Sequence, residues 1–399
     1  MQWIGRRYDT GEWVQLTAAD GVIQAISPVL PDDEAKASET WISPGWIDLQ
    51  VNGFAGFDLN GDVTTEQDVA EVTNALFRHG VTTYCPTVIT GSFARMNQAF
   101  RAIHSACETN KLLSSVIGGI HVEGPYLSAE DGPRGAHDKA HIRDPDMAEF
   151  DAWQHSAGGR IVLCTIAPER EGAVEFIKHV IANGGVKVSI GHTMADAEQL
   201  KSAVEAGAAL STHLGNGAHP VMARHPNYIW DQLAEDGLHA MFIGDGHHLT
   251  ASVLKSMIRV KRDRFILVSD SVMFGGMPPG RYPSMIGQEV ELLSNGRLQT
   301  AADPRILAGS AQALDRGVEN AMRLAGVSLR EAIDAVTKRP AEAMGWPMVG
   351  KLEVGARANL TLFKIDSSGS VNVQQTVVNG ETVWNNKQQS LQEENGRLT

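Results

Sequence analysis

Ile117-Gly118-Gly119-Ile120-His121-Val122-Glu123-Gly124-Pro125 is an apolar, β-rich run that ends in a carboxylate, followed by two residues that turn a chain sharply. It reads as a buried strand presenting its last side chain at a loop mouth. Working outward, seven more bursts have the same character: 46–51, 81–85, 161–166, 186–190, 208–213, 239–243 and 265–270. Helical spacing follows several of them, over 65–79, 171–183, 195–206 and 250–260. Eight strand-then-helix units over roughly 300 residues predict an α/β fold of the (β/α)8 TIM-barrel type. A doubly wound sheet uses the same alternation and is the competing reading.

Both ends of the chain read differently. Gly11-Glu12-Trp13-Val14-Gln15-Leu16 and Gly21-Val22-Ile23-Gln24-Ala25-Ile26 fit half-buried strands, as do 358–363, 375–378 and 381–384 near the C-terminus. Asn379-Gly380 between the last two is a hairpin turn signal. The termini are therefore expected to build one small β-sandwich domain, residues 1–43 with 346–399, around a catalytic barrel of residues 44–345. An inserted hairpin is expected near 288–298, two helices from about Ala311 and Leu329, and a loose polar tail from about Asn385.

The net charge of −13 is spread along the chain, which argues against nucleic acid or an anionic membrane surface as partner, since both need a basic patch. Cys85, Cys107 and Cys164 form no CxxC pair and are expected to be buried, reduced thiols. The N-terminal MQWIGRRYDTGEW lacks the apolar core of a signal peptide, and no apolar run reaches membrane-spanning length. A soluble cytoplasmic protein is expected.

The chemistry gathers at the C-terminal ends of the predicted strands, the face that carries active sites in barrels. Strand three ends in Glu123, five in Gly191-His192-Thr193, six in Thr212-His213-Leu214 and eight in Ser269-Asp270-Ser271. Any one of these alone is an ordinary solvated or hydrogen-bonded strand-end group. Together, one carboxylate and two imidazoles make a three-ligand set with an open position. One divalent ion is expected there: zinc suits the set best, and iron, cobalt or manganese fit a similar one. An acid concluding an apolar strand costs desolvation unless something binds it, which marks Asp270 as a functional candidate beside the ligand set.

His121-Val122-Glu123-Gly124-Pro125, Gly191-His192-Thr193, Thr212-His213-Leu214 and Val268-Ser269-Asp270 resemble the amidohydrolase superfamily and, within it, the N-acetylglucosamine-6-phosphate deacetylases. Pro44-Gly45-Trp46-Ile47-Asp48-Leu49-Gln50-Val51-Asn52-Gly53 resembles the first barrel strand of that family, and Leu307-Ala308-Gly309-Ser310 is similar to a later segment. The resemblance implies a TIM barrel with a small β-sandwich from both termini, and metal-dependent removal of an acetyl group from an amino-sugar phosphate. Many amidohydrolases carry His-x-His on strand one and hold two metals; here Gln50-Val51-Asn52 stands in that place. The resemblance thus implies a single metal, with Gln50 contacting its water and Asp270 moving the proton. It implies His137 as the residue polarising the acetyl group, with His141 a nearby alternative.

For the phosphate, the resemblance implies Arg224 and His248, with Asn216 and Gly217 as further donors, and a homodimer in which Arg224 is given across the interface. The chain departs from the family pattern at Gly215-Asn216-Gly217-Ala218-His219-Pro220, where an aromatic residue and Asn-Ala-Met usually follow His-Leu. That change reshapes the sugar pocket. A galactosamine-type or unphosphorylated N-acetyl sugar, or an N-acyl amino acid, is therefore an alternative substrate. Two readings from other classes are a metal-free phosphosugar isomerase and a non-catalytic sugar-binding protein.

Overall fold

The computed structural model describes residues 1–31, 33, 39–283 and 289–387. All eight predicted bursts form strands, and they pair in chain order as one parallel sheet. We number them one to eight: Trp46–Val51, Val81–Ile89, Ile120–Glu123, Ile161–Ile166, Lys187–Ile190, Leu210–Ser211, His239–Ile243 and Phe265–Val268. A parallel bridge between Val51 and Ser271 closes strand eight back onto strand one. That bridge decides the architecture: the sheet is a nearly closed barrel, not a doubly wound layer.

The helices follow from local sequence. Glu66–Phe77 begins with a capping box, in which Thr65 and Asp68 satisfy each other's backbone amides, and buries Val69, Val72 and Leu76 against the barrel. Ala173–Gly184 and Ala197–Glu205 bury apolar stripes in the same way, and Ala251–Lys261 fills the predicted fourth position. Strand three is shorter than its apolar run. Gly119 has φ +146° and a Cβ there would lie 2.4 Å from Val162, so the chain enters the strand only at Ile120.

One end of the barrel is stopped. Ile47, Leu49, Cys85, Leu163, Leu210, Met241 and Ile266 form one apolar cluster with Ala341, Ala343 and Met344 of the helix Lys338–Met344. The Trp346 ring lies so close to Gly118 that a Cβ there would stand 2.6 Å from it. Access is left to the opposite end, where strands three, five, six and eight finish.

The termini meet in one continuous seven-stranded sheet, in the order Glu381–Asn385, Val371–Val378, Leu360–Ile365, Trp41–Pro44, Gln2–Arg7, Trp13–Ala19, Val22–Pro28. Asn379 and Gly380 both have positive φ, +49° and +79°, as a two-residue hairpin turn requires. Two details differ from the sequence reading. The insertion after strand eight holds three short strands, Gly280–Pro283, Glu289–Leu292 and Leu298–Thr300, because residues ahead of the expected hairpin pair with it. The segment after it forms three helical stretches, Leu314–Ala325, Leu329–Asp334 and Lys338–Met344. The expected tail falls largely on residues 388–399, outside the described ones. The three cysteines are buried and unpaired. Among the described residues, no helix is long and apolar enough to cross a membrane.

Candidate metal centre and its surroundings

Glu123, His192 and His213 come from three different strand ends and meet at one point. Glu123 Oε1 lies 3.2 Å from His192 Nε2 and 2.9 Å from His213 Nε2, and the two nitrogens are 3.1 Å apart. Donors held 2.0–2.1 Å from a tetrahedral centre stand about 3.3 Å from one another, so this spacing fits a small divalent ion. The chemistry of the donors fits as well. His192 Nδ1 sits 2.8 Å from the Pro133 carbonyl, which only accepts, so Nδ1 carries the proton and Nε2 offers its lone pair to the cluster. Burial alone would raise the Glu123 carboxyl, but the adjoining His192 and His213 overcome it and hold the group well below the usual range.

The backbone is bent to bring these groups inward. His192, His213 and Asp270 all adopt positive φ, +50°, +26° and +47°, a region that non-glycine residues enter at a cost of about 1–3 kcal/mol each. The His192 ring is also gripped from two sides. A Cβ on Gly135 would meet it at 3.0 Å and one on Gly217 at 2.6 Å, and both glycines have positive φ.

Asp270 stands half-buried in the barrel mouth. Its Oδ1 accepts from Asn52 Nδ2 at 2.7 Å, and its amide donates to the Gln50 carbonyl at 3.0 Å. Burial and then the Glu123 charge push its carboxyl up to about 6; His213, His248 and the Asn52 bond act in the opposite direction. The side-chain oxygen and nitrogen of Gln50 are both buried with no partner among the described residues. Such a group has its hydrogen bonds still to make.

His137 joins this cluster. Its Nε2 lies 3.2 Å from His192 Nε2 and its Nδ1 2.8 Å from Thr90 Oγ1. Burial and the neighbouring His192 push it down to about 3, so it is neutral at pH 7. His248 Nδ1 is paired with Asp245 Oδ2 at 2.7 Å, close enough to the mouth for its charge to be felt by Asp270. Asn216 Nδ2 folds back onto the His213 carbonyl at 3.2 Å. Arg224 is not drawn in: it is exposed on the loop leading to Asn227, and no hydrogen bond or ion pair among the described residues links its guanidinium to the cluster.

Several groups here escape a reading of strand ends alone. Asp245 in Gly244-Asp245-Gly246 follows strand seven as Asp270 follows strand eight, so the same signal would have found it. Asn52 lies inside a segment read for Gln50. Thr90 and the Pro133 carbonyl carry no signal in sequence, because only the fold sets them beside an imidazole. Asp48 is the least expected: it is fully buried in strand one, and burial pushes its carboxyl from 3.8 up to about 7. The folded state therefore binds more protons than the unfolded one between about pH 4 and 7, and stability falls as pH rises through that window, by at most about 4 kcal/mol. Asp48→Asn cannot ionise. Its melting temperature relative to the native chain is expected to climb by several degrees from pH 5 to pH 8; a constant difference would contradict the assignment.

A stopped barrel that gathers one carboxylate and two imidazoles at its open mouth has a site that could hold a metal ion, as hydrolases built on barrels do. Residues 41–383 match the Amidohydrolase family, and the chain belongs to it. It is 31% identical to N-acetylgalactosamine-6-phosphate deacetylase of Escherichia coli O157:H7, over 92% of this chain and 94% of that protein. It is also 31% identical to N-acetylglucosamine-6-phosphate deacetylase of Bacillus subtilis (strain 168), over 87% and 88%. The crystal structure of N-acetylglucosamine-6-phosphate deacetylase from Pasteurella multocida superposes with a TM-score of 0.83 at 27% identity, covering 96% of this chain and 99% of that one.

Proposed function

We propose that the chain hydrolyses the N-acetyl amide of N-acetyl-D-glucosamine 6-phosphate, giving D-glucosamine 6-phosphate and acetate in amino-sugar catabolism. The observation that carries this reading is the convergence of Glu123, His192 and His213 within 3.2 Å of one another in the same mouth as Asp270. The names of the relatives support the substrate class. The galactosamine epimer is a second reading, favoured by the Escherichia coli relative and by the altered 215–220 loop.

Glu123, His192 and His213 would hold one divalent ion, and zinc fits two imidazoles and a carboxylate best. When bound, that ion supplies Lewis acidity, which makes water a ready nucleophile near neutral pH. The protein does the rest. Oδ1 of Asp270 is occupied by Asn52, which leaves Oδ2 to take a proton from the attacking water. His137, neutral and hydrogen-bonded through Nδ1 to Thr90, would in its Nε2–H tautomer offer that proton to the acetyl oxygen as negative charge grows there. Gln50 supplies its free amide to orient the nucleophile. A C–O bond forms, the C–N bond breaks, and Asp270 returns its proton to the departing amine.

His248, oriented by Asp245, would meet the 6-phosphate together with Asn216, Gly217 and Arg224. Arg224 is exposed on a loop with Val221, and Trp230 is exposed just beyond it; this supports a homodimer in which the arginine reaches a partner's mouth. The protein would work in the cytoplasm, divided into a sheet domain of residues 1–43 and 346–399 and a barrel of 44–345. Arg224→Ala and His248→Ala are each expected to raise KM for the phosphorylated sugar about tenfold to a hundredfold, consistent with the loss of a charged hydrogen bond. KM for the unphosphorylated sugar should stay unchanged; an equal rise for both would remove the phosphate assignment. Acetate release from N-acetylglucosamine and N-acetylgalactosamine, each with and without 6-phosphate, tests the whole reading. No release from any of the four would overturn it.

A further inference from the structure

Between strands eight and one the barrel's backbone ladder is interrupted. At the stopped end, the amides of Ile47 and Leu267 do not bond across the seam; they donate to the carbonyls of Val336 (2.7 Å) and Ala335 (3.0 Å), which wedge the two strands apart. At the open end the strands rejoin, with Asp270 N on Gln50 O and Asn52 N on Ser271 O at 2.8 Å. Asp48 stands between these two regions. Its Oδ1 accepts from Ser269 N, just beyond strand eight, at 3.1 Å and from Gln50 N on its own strand at 3.3 Å. Ser269 Oγ in turn donates to the Gln50 carbonyl at 3.3 Å. The register of strand one against strand two also shifts between Asp48 and Val51, so its backbone is irregular just where a ladder would be needed.

We propose that Asp48 is a positioning residue: its carboxyl stitches the open seam between strands one and eight, and so fixes the spacing of Gln50 and Asp270. This rests on the hydrolytic reading above, in which those two side chains act on the same water. The amides that Asp48 holds belong to Gln50 itself and to the residue preceding Asp270, so a shift of its acceptor atom is passed on to both groups. What the seam uses is the acceptor oxygen, not the charge. Oδ2 is fully buried without a partner among the described residues, and burial favours the neutral acid. Asparagine presents the same acceptor at the same reach. Glutamate keeps the ionisable group but moves its oxygens outward by one methylene, and alanine has no acceptor at all.

The test is steady-state acetate release by full-length Asp48→Ala, Asp48→Asn and Asp48→Glu, each normalised to bound metal and compared with the native chain. A misplacement of about 1 Å costs about a hundredfold in rate, so Ala and Glu are expected to lower kcat roughly tenfold to a hundredfold, with KM within about twofold. Asn should restore kcat to within about threefold. A purely structural role would lower the melting temperature and leave kcat per metal-loaded enzyme unchanged, and that result overturns the proposal. So does an Asn variant as slow as Ala. If Ala does not accumulate as folded protein, Asn and Glu decide: Glu as fast as Asn is the overturning outcome. The native chain in the same assay separates the two levels, since its failure to release acetate would strike the hydrolytic reading and not the seam.

Discussion

Asp270→Asn is expected to lower kcat by about a thousandfold or more while the protein keeps its metal and its fold. General acid–base catalysis contributes about 10²–10⁴ in rate, and in the mechanism we propose one carboxylate serves twice, first taking a proton from water and then giving it to the amine. Asparagine preserves the contacts that hold the side chain: the residue amide still reaches the Gln50 carbonyl, and the side-chain oxygen still accepts from Asn52. What it removes is the capacity to bind a proton. The pH profile gives a second view of the same group. A base works only when ionised, and the Asp270 carboxyl lies at about 6 with Glu123 ionised beside it. A cation at the cluster would draw it lower, so the acidic limb of kcat/KM is expected at or below pH 6 in the native enzyme. Full turnover by the asparagine variant, with metal content unchanged, would end the assignment.

Removing Glu123 should be as damaging, by a different route. Glu123→Ala deletes the one carboxylate of the donor set and leaves two imidazoles, so bound metal is expected to fall below one part in ten of the protein and activity by three orders of magnitude or more, in line with dependence of the rate on an ion's Lewis acidity. Chelation of the native chain should produce the same loss, and added zinc should reverse it. In the alanine variant zinc should not. Thermal melting offers a readout independent of turnover: an ion that binds only the folded state raises stability as its free concentration exceeds Kd, by about 2.7 kcal/mol at a hundredfold excess. The native chain should therefore melt higher with zinc than with chelator, and Glu123→Ala should melt at the same temperature in both. Acetate release that survives complete chelation would remove the metal from the reaction.

These two experiments address residues that were legible in the chain, and the reason is physical. A strand buried on both faces is apolar for its whole length, so a carboxylate or imidazole at its end stands out against that background. Glu123, His192, His213 and Asp270 all carry this mark, and so does Asp245. The eight strands themselves were legible on the same grounds, as was the Asn379-Gly380 hairpin, because positive φ at two successive positions restricts residue choice. Groups recruited from loops carry no such mark. Thr90 and Pro133 touch imidazoles through contacts spanning 47 and 59 residues, and nothing local to either position requires them to be what they are.

Local sequence is enough to set the alternation of strands and helices, the polar residues that conclude the strands, and the lack of a second imidazole pair on strand one. Those are consequences of local periodicity and of the cost of placing charge in an apolar run. That the sheet closes is a property of the packed chain alone, since the Val51–Ser271 bridge and the bonds beside it join residues more than two hundred positions apart. Closure in turn set Asp270, beyond strand eight, in the same mouth as Glu123, His192 and His213, whose donors stand 2.9–3.2 Å apart. It also converted Asp48, an acid with no visible purpose in an apolar strand, into the stitch across the barrel's interrupted seam. Hydrogen-bond geometry between distant segments is set by packing, and packing belongs to the whole chain.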